Sequence, residues 1–151
     1  MITQAVMAAL ATFGLSILFA TPRRHWLVCS LVGGVVYYLY LAVRAVTGNG
    51  VLGCFVATFA LVAIARAIAV VHQAPVTVFL LAGIFPLVPG AGIYYTAYYL
   101  FTADARAGAM GLETVMLSGA IVLGILFGFA LPMRLFIFFR RFQPGHNEKK
   151  S

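Results

Sequence analysis

Apolar residues run along this chain in long blocks, parted by short polar, glycine or proline stretches. The blocks are Ile2 to Ala20, Trp26 to about Val46, Val51 to Val71, Val76 to Phe101 and Leu112 to Leu131. Each is about the roughly 20 residues that an α-helix needs to cross a ~30 Å hydrocarbon core. The pattern therefore predicts an all-α integral membrane protein of about five transmembrane helices. Residues 1–142 form a single polytopic membrane domain, and residues 143–151 form a polar cytoplasmic tail. No internal repeat and no domain linker stand out.

The connections set the expected orientation. No Lys or Arg precedes the apolar core of the first block, so it is expected to stay as a helix and not to be cleaved as a signal peptide. Thr21-Pro22-Arg23-Arg24-His25 carries two arginines and a helix-breaking proline. The positive-inside rule places it in the cytoplasm and the N-terminus outside. Thr47-Gly48-Asn49-Gly50 predicts a tight outer turn, and His72-Gln73-Ala74-Pro75 a second inner loop. Thr102 to Gly111, with Asp104 and Arg106, predicts a second outer loop. Pro132 then ends or kinks the last helix. Met133 to Phe142, with Arg134, Arg140 and Arg141 among phenylalanines, reads as a helix end at the inner surface. On this topology only Arg44 and Arg106 lie outside, while Arg23, Arg24, Arg66, Arg134, Arg140, Arg141, Lys149 and Lys150 lie inside.

Composition agrees with this class. Of 151 residues, 64% are hydrophobic and 9% charged, with 10 Lys+Arg against 3 Asp+Glu for a net +7. A soluble domain carries about 25% charged residues. The basic residues sit at the ends of apolar blocks, so the charge marks orientation and not a nucleic-acid partner. Fifteen glycines suit close helix packing in lipid. Gly33-Gly34 predicts a close helix approach. Gly53/Ala57, Ala63/Ala67, Ala65/Ala69 and Gly124/Gly128 match the small-xxx-small spacing, with plain helix-forming alanine as the competing reading for the first three pairs. Cys29 and Cys54 fall at opposite ends of neighbouring helices, out of disulfide reach. His25, His72 and His146 fall at aqueous ends and read as interfacial, and no metal-ligand or cofactor spacing appears. Trp26 reads as an interfacial anchor. Arg66 lies near an inner end, and a stem snorkelling to the headgroups is preferred over a buried ion pair.

The fourth block is interrupted by Gly83-Ile84-Phe85-Pro86-Leu87-Val88-Pro89-Gly90-Ala91-Gly92. Pro86 and Pro89 remove backbone donors, and hydrocarbon offers no water to replace them. Such a break is tolerated where it is buried in protein or lines a cavity, and in transporters it often marks the substrate site. A kinked helix without a ligand is the alternative. Neither half of roughly a dozen residues spans alone. A re-entrant hairpin would put the basic tail outside, so a single broken span, with the C-terminus inside, is expected.

Candidate chemistry gathers around this break. The half-helix starting near Gly90 offers free N–H groups and a dipole suited to an anion; Gly90 and Gly92, on either side of Ala91, have no side chains to block approach. A carboxylate-bearing solute fits; a phosphate is possible too but, as a dianion, would want a basic residue, and none is expected nearby. Tyr37, Tyr38, Tyr40, Tyr98 and Tyr99 read as an aromatic belt. Tyr94 and Tyr95, one turn past the break, lie deeper and with Thr96 could offer hydroxyls to a solute. With Pro86 and Pro89, these make up the predicted substrate site. Glu113 falls in the first turn of the predicted last helix, where it either answers the helix dipole or faces the pathway and carries protons. No Ser/His/Asp set, HExxH motif, paired carboxylates or P-loop is present, so no enzyme is expected.

The order of parts resembles the threonine/serine exporter (ThrE) family, in particular its YjjB-like small subunit from the split form. The residues that carry the likeness are Thr21-Pro22-Arg23-Arg24, the Cys/Gly-bearing stretch Trp26 to Gly34, Phe85-Pro86-Leu87-Val88-Pro89-Gly90 with tyrosines after it, and Glu113 opening a helix that ends in Pro132 and a basic tail. The Pro-x-x-Pro-Gly segment is its most specific part. The resemblance implies a bacterial cytoplasmic (inner) membrane location and a larger partner subunit. It also implies export of threonine and serine, or, as in some split members, of a dicarboxylate such as succinate. A homo-oligomer and a non-transporting scaffold or assembly subunit stay open beside it.

The topology is checked by single-cysteine labelling in a chain lacking Cys29 and Cys54. A cysteine at Asn49 or Ala107 should react with an impermeant reagent from outside, and one at Gln73 or Asn147 should not. Outside labelling at Asn147 would revive the hairpin.

Overall fold

A computed structural model describes residues 1–19 and 21–131. Ala20, Pro132, the segment Met133 to Phe142 and the 143–151 tail lie outside the described residues. The rest is helical: α1 (Ile2–Leu18), a 3-10 turn at Arg23–His25, α2 (Trp26–Thr47), α3 (Gly50–His72), α4 (Val76–Ile84), a 3-10 turn at Phe85–Leu87, α5 (Gly90–Phe101) and α6 (Ala107–Ala130). α2, α3 and α6 are each long and apolar enough to cross a membrane. The segments on either side of the break pass the same test together, bent by 46°. α1, at 17 residues, is shorter, about 25 Å at 1.5 Å per residue.

The termini of these helices follow local chemistry. Gly48 takes a φ of 67° to end α2, and Asn49 caps α3 by accepting from the Val51 and Leu52 amides at 2.9 and 3.3 Å. The loop between α5 and α6 is shorter than predicted, because α6 begins at Ala107 and not at Leu112. Asp104 accepts the Arg106 amide at 2.9 Å and pairs with its guanidinium at 2.8 Å. That turn feeds directly into Ala107 and Ala109, and alanine is the strongest helix former. Glu113 consequently lies in the second turn of α6, not the first.

α3 is the central element, packed on α2, α4 and α6, while α1 lies on α2 and α5 on α6. Val32, Val36, Cys54, Ala57, Leu61, Leu87, Ala120 and Ile121 form the main core. Small residues set its spacing. A Cβ at Gly33 would overlap the Thr12 side chain of α1. At Gly124 and Gly128, a Cβ would come within 2.8 Å of Thr58 and 2.6 Å of Val62 on α3. Gly53, Ala57, Ala65 and Ala69 are buried, whereas Ala63 and Ala67 are half-buried. Cys29 and Cys54 are free and buried.

Two polar residues are not where the sequence placed them. His25 is buried at 1% exposure, edge-on to the rings of His72 and Phe79 at 5.2 and 5.3 Å. Its Nε2 accepts from Arg24 Nε at 2.9 Å. The short 3-10 turn folds His25 under the bundle instead of out to the interface. Arg66 does not snorkel; it is 4% exposed. Its Nη1 donates to the carbonyls of Gly128 (2.9 Å), Phe129 (3.2 Å) and Leu131 (2.8 Å).

Proline at position 132 explains this. It has no N–H to give the Gly128 carbonyl four residues back, and the last helical carbonyls lack partners in any case. A buried cation at that end also meets the negative pole of the helix dipole. Arg66 therefore fastens α6 to α3 from within. Removing it strands buried carbonyls, so Arg66→Met should lower stability by roughly 2–4 kcal/mol. Thermal unfolding in detergent would show it, with a smaller loss for Arg66→Lys. An unchanged melting temperature for Arg66→Met would mean that the carbonyls find other donors.

Candidate functional site

The break is built by residues that cannot continue a helix. After Ile84 the chain tightens into the 3-10 turn, Val88 turns extended (φ −62°, ψ 128°), and Pro89 precedes a fresh helix start. The Val88 amide bonds to Phe85 O at 3.2 Å, Gly90 to Val88 O at 2.8 Å and Ile93 to Pro89 O at 3.0 Å. No backbone acceptor among the described residues takes the Ala91 or Gly92 amide. These remain as donors at the start of α5, as helix geometry requires.

The break lines a cavity of about 410 Å³, within the ~300–1,000 Å³ common for small-molecule sites. Residues 86–92 form one wall. Tyr37, Tyr40 and Arg44 of α2, Cys54 of α3, Tyr95 of α5, and Met110, Glu113, Thr114 and Leu117 of α6 complete it. The approach of α5 to α6 is fixed at Gly92, where a Cβ would come within 2.6 Å of Thr114 Oγ1. That contact carries the break to the residue next to Glu113.

Of the predicted site residues, Pro86, Pro89, Gly90, Ala91, Gly92, Tyr95 and Glu113 come together here. Tyr94 and Thr96 do not line the cavity. Tyr94 is 63% exposed and stacks on Tyr98 at 6.4 Å between centroids. Thr96 turns its hydroxyl back to Gly92 O at 2.6 Å and lines a separate hollow against α6. Helical spacing explains the split, since neighbours differ by about 100° around a 3.6-residue turn.

Sequence reasoning missed Tyr37, Tyr40 and Arg44. The expectation that no basic residue stands near the break is corrected by Arg44, the one basic side chain lining the cavity among the described residues. Its Nη1 donates to the Tyr40 hydroxyl at 3.2 Å. The signal was Arg44 following Tyr37 and Tyr40 at seven and four residues, one face of one helix. An aromatic belt has the same signature, so only the fold separates the two.

Acid–base capacity is uneven. Hydrogen bonds from the Arg106 side chain, then its amide, bring Asp104 down to about 2. Asp104 is thus ionised at any physiological pH and committed to the turn between α5 and α6. Among the described residues, Glu113 is exposed, has no ion-pair partner, and is the one acid lining the cavity. Two turns into α6, it lies past the first turn in which a helix dipole acts strongly.

A family model described as Threonine/Serine exporter, ThrE matches residues 4–130. No curated protein and no solved structure matches the chain.

The two glycines of the break should respond differently to bulk. At Gly90 an added Cβ meets nothing within 4 Å, whereas at Gly92 it strikes Thr114. Gly90→Leu should therefore keep the wild-type melting temperature and abolish solute export by filling the cavity. Gly92→Leu should lower the melting temperature as well. Undiminished export by Gly90→Leu would remove the break from the solute path.

Proposed function

We propose that this chain, which belongs to the threonine/serine exporter (ThrE) family, is the small membrane subunit of a proton-coupled secondary exporter for small carboxylate-bearing metabolites. It is a multi-pass membrane protein, and members of its family are transporters, not enzymes. The observation that carries the reading is the single cavity joining the helix break to Glu113. A discontinuous helix beside a titratable carboxyl is a recurring arrangement at transporter sites.

The solute is threonine or serine, or a dicarboxylate such as succinate, received by the Ala91 and Gly92 amides with Tyr95 beside them. Glu113 exchanges protons. The chain crosses the bacterial inner membrane five times, N-terminus out and C-terminus in. The 46° bend, far from the reversal a hairpin needs, supports one broken span. A larger membrane subunit completes the path. α5 has no buried residue, so the cavity wall it forms is one helix thick and open to a partner. That same bare helix favours the second reading, a scaffold or assembly subunit that binds a partner without passing solute.

Reconstitution separates these readings. The lone chain in liposomes should not export, and addition of the co-purifying larger subunit should give export accelerated by a proton gradient. Glu113→Gln keeps shape but cannot titrate; the complex should form and exchange solute, yet lose its response to the gradient. A complex that assembles but never exports supports the scaffold. Full activity of the lone chain supports a homo-oligomer.

A further inference from the structure

Among the described residues, the cavity holds one cation and one anion that are not paired with each other. Arg44 sits in the last turn of α2, and Glu113 in the second turn of α6. Both line the cavity, and no ion pair joins them among the described residues. Gly50 lies between their helices. A Cβ there would stand 4.0 Å from Arg44 Nε and 3.9 Å from Leu117, one helical turn beyond Glu113. The other described outer-end pair, Asp104 and Arg106, is closed on itself at 2.8 Å. Arg44 is instead held by the Tyr40 hydroxyl, a neutral acceptor that leaves its charge unneutralised and much of its donor fork free.

From this geometry we infer that Arg44 and Glu113 are the two specificity-determining poles of the cavity, Arg44 joining the Ala91 and Gly92 amides on the solute's carboxylate and Glu113 binding its ammonium group. The inference rests on the transport reading above and narrows its substrate class to zwitterions. A guanidinium presents a planar fork that suits a carboxylate bidentately. Glu113 offers the complementary charge to an ammonium. For a dicarboxylate the second acid group would face Glu113 as a like charge. The same arrangement supplies a coupling rule. One carboxylate cannot hold a proton and an ammonium at once, so proton and solute compete at Glu113 and pass it alternately.

Arginine-selective modification by phenylglyoxal reads the site without requiring transport. The full chain is placed in lipid nanodiscs with its co-purifying larger subunit, or alone where none binds. Adducts at Arg44 are then counted by peptide mass. L-Threonine should slow modification, and 3-hydroxybutyrate, which is threonine without its amino group, should protect roughly tenfold less, the loss of one charged contact. Succinate should protect least. Glu113→Gln should erase threonine's advantage over 3-hydroxybutyrate. Equal protection by all three acids, or an advantage that survives Glu113→Gln, overturns the assignment. Should Arg44 resist the reagent, export kinetics decide. Arg44→Gln should raise the KM for threonine with kcat little changed, and Arg44→Lys should recover part of it; an unchanged KM overturns the assignment. Protection without any export by the wild type would defeat the exporter reading alone. Export by a wild type whose Arg44 is unprotected would defeat only the pairing of poles.

Discussion

Hydrocarbon accepts and donates no hydrogen bonds, so every backbone group within it needs a partner from the protein. Continuous helices meet that demand by themselves, and the described chain departs from continuity at two places that matter for the site. One is the end of α6, where the residue after Leu131 is a proline and has no amide to give the Gly128 carbonyl. Arg66 reaches across from α3 and donates to that carbonyl and to those of Phe129 and Leu131. The other is the stretch from Phe85 to Gly90, where the freed groups face a cavity instead of lipid. The first departure is closed by a buried cation. The second is left open.

That difference separates structure from function along one central helix. α3 meets α6 through Thr58 and Val62 against Gly124 and Gly128, and Arg66 locks the far end of the same contact. With α6 held, α5 docks on it through Gly92 against Thr114. The break can then stay irregular without the bundle coming apart, because its neighbours are fixed by close backbone approach and not by the break itself. The cavity is thus a feature of packing between α2, α3, α5 and α6.

Charge follows the same logic. Asp104 and Arg106 satisfy one another in the loop between α5 and α6, and Arg66 is spent on carbonyls. Arg44 and Glu113 are the charged residues of the described chain that line the break cavity, and neither neutralises the other. Opposite charges kept apart in a concave site form a template for a ligand that carries both.

Much of this was legible in the sequence, because hydrophobic block length and helix breakers act locally. The apolar runs, the turn at Gly48 and Asn49, the packing faces at Gly33 and Gly124/Gly128, and the break at Pro86 to Gly90 are each properties of a few consecutive residues. They need no knowledge of what lies opposite. The family resemblance rested on that same order of parts, and the family match over residues 4–130 agrees with it. What the sequence could not decide was every question of who faces whom. Arg66 near a helix end has the stem length to snorkel, and only the position of Gly128 and Leu131 shows that it turns inward. His25 beside two arginines reads as exposed, until the 3-10 turn tucks it against Phe79. Arg44 is 46 residues from Gly90 along the chain, and Tyr94 is adjacent to Tyr95, yet the cavity takes Arg44 and Tyr95 and leaves Tyr94 outside. Side-chain direction on a helix changes by about 100° per residue, and distance between helices is set by their packing. Both are fixed only when the bundle closes.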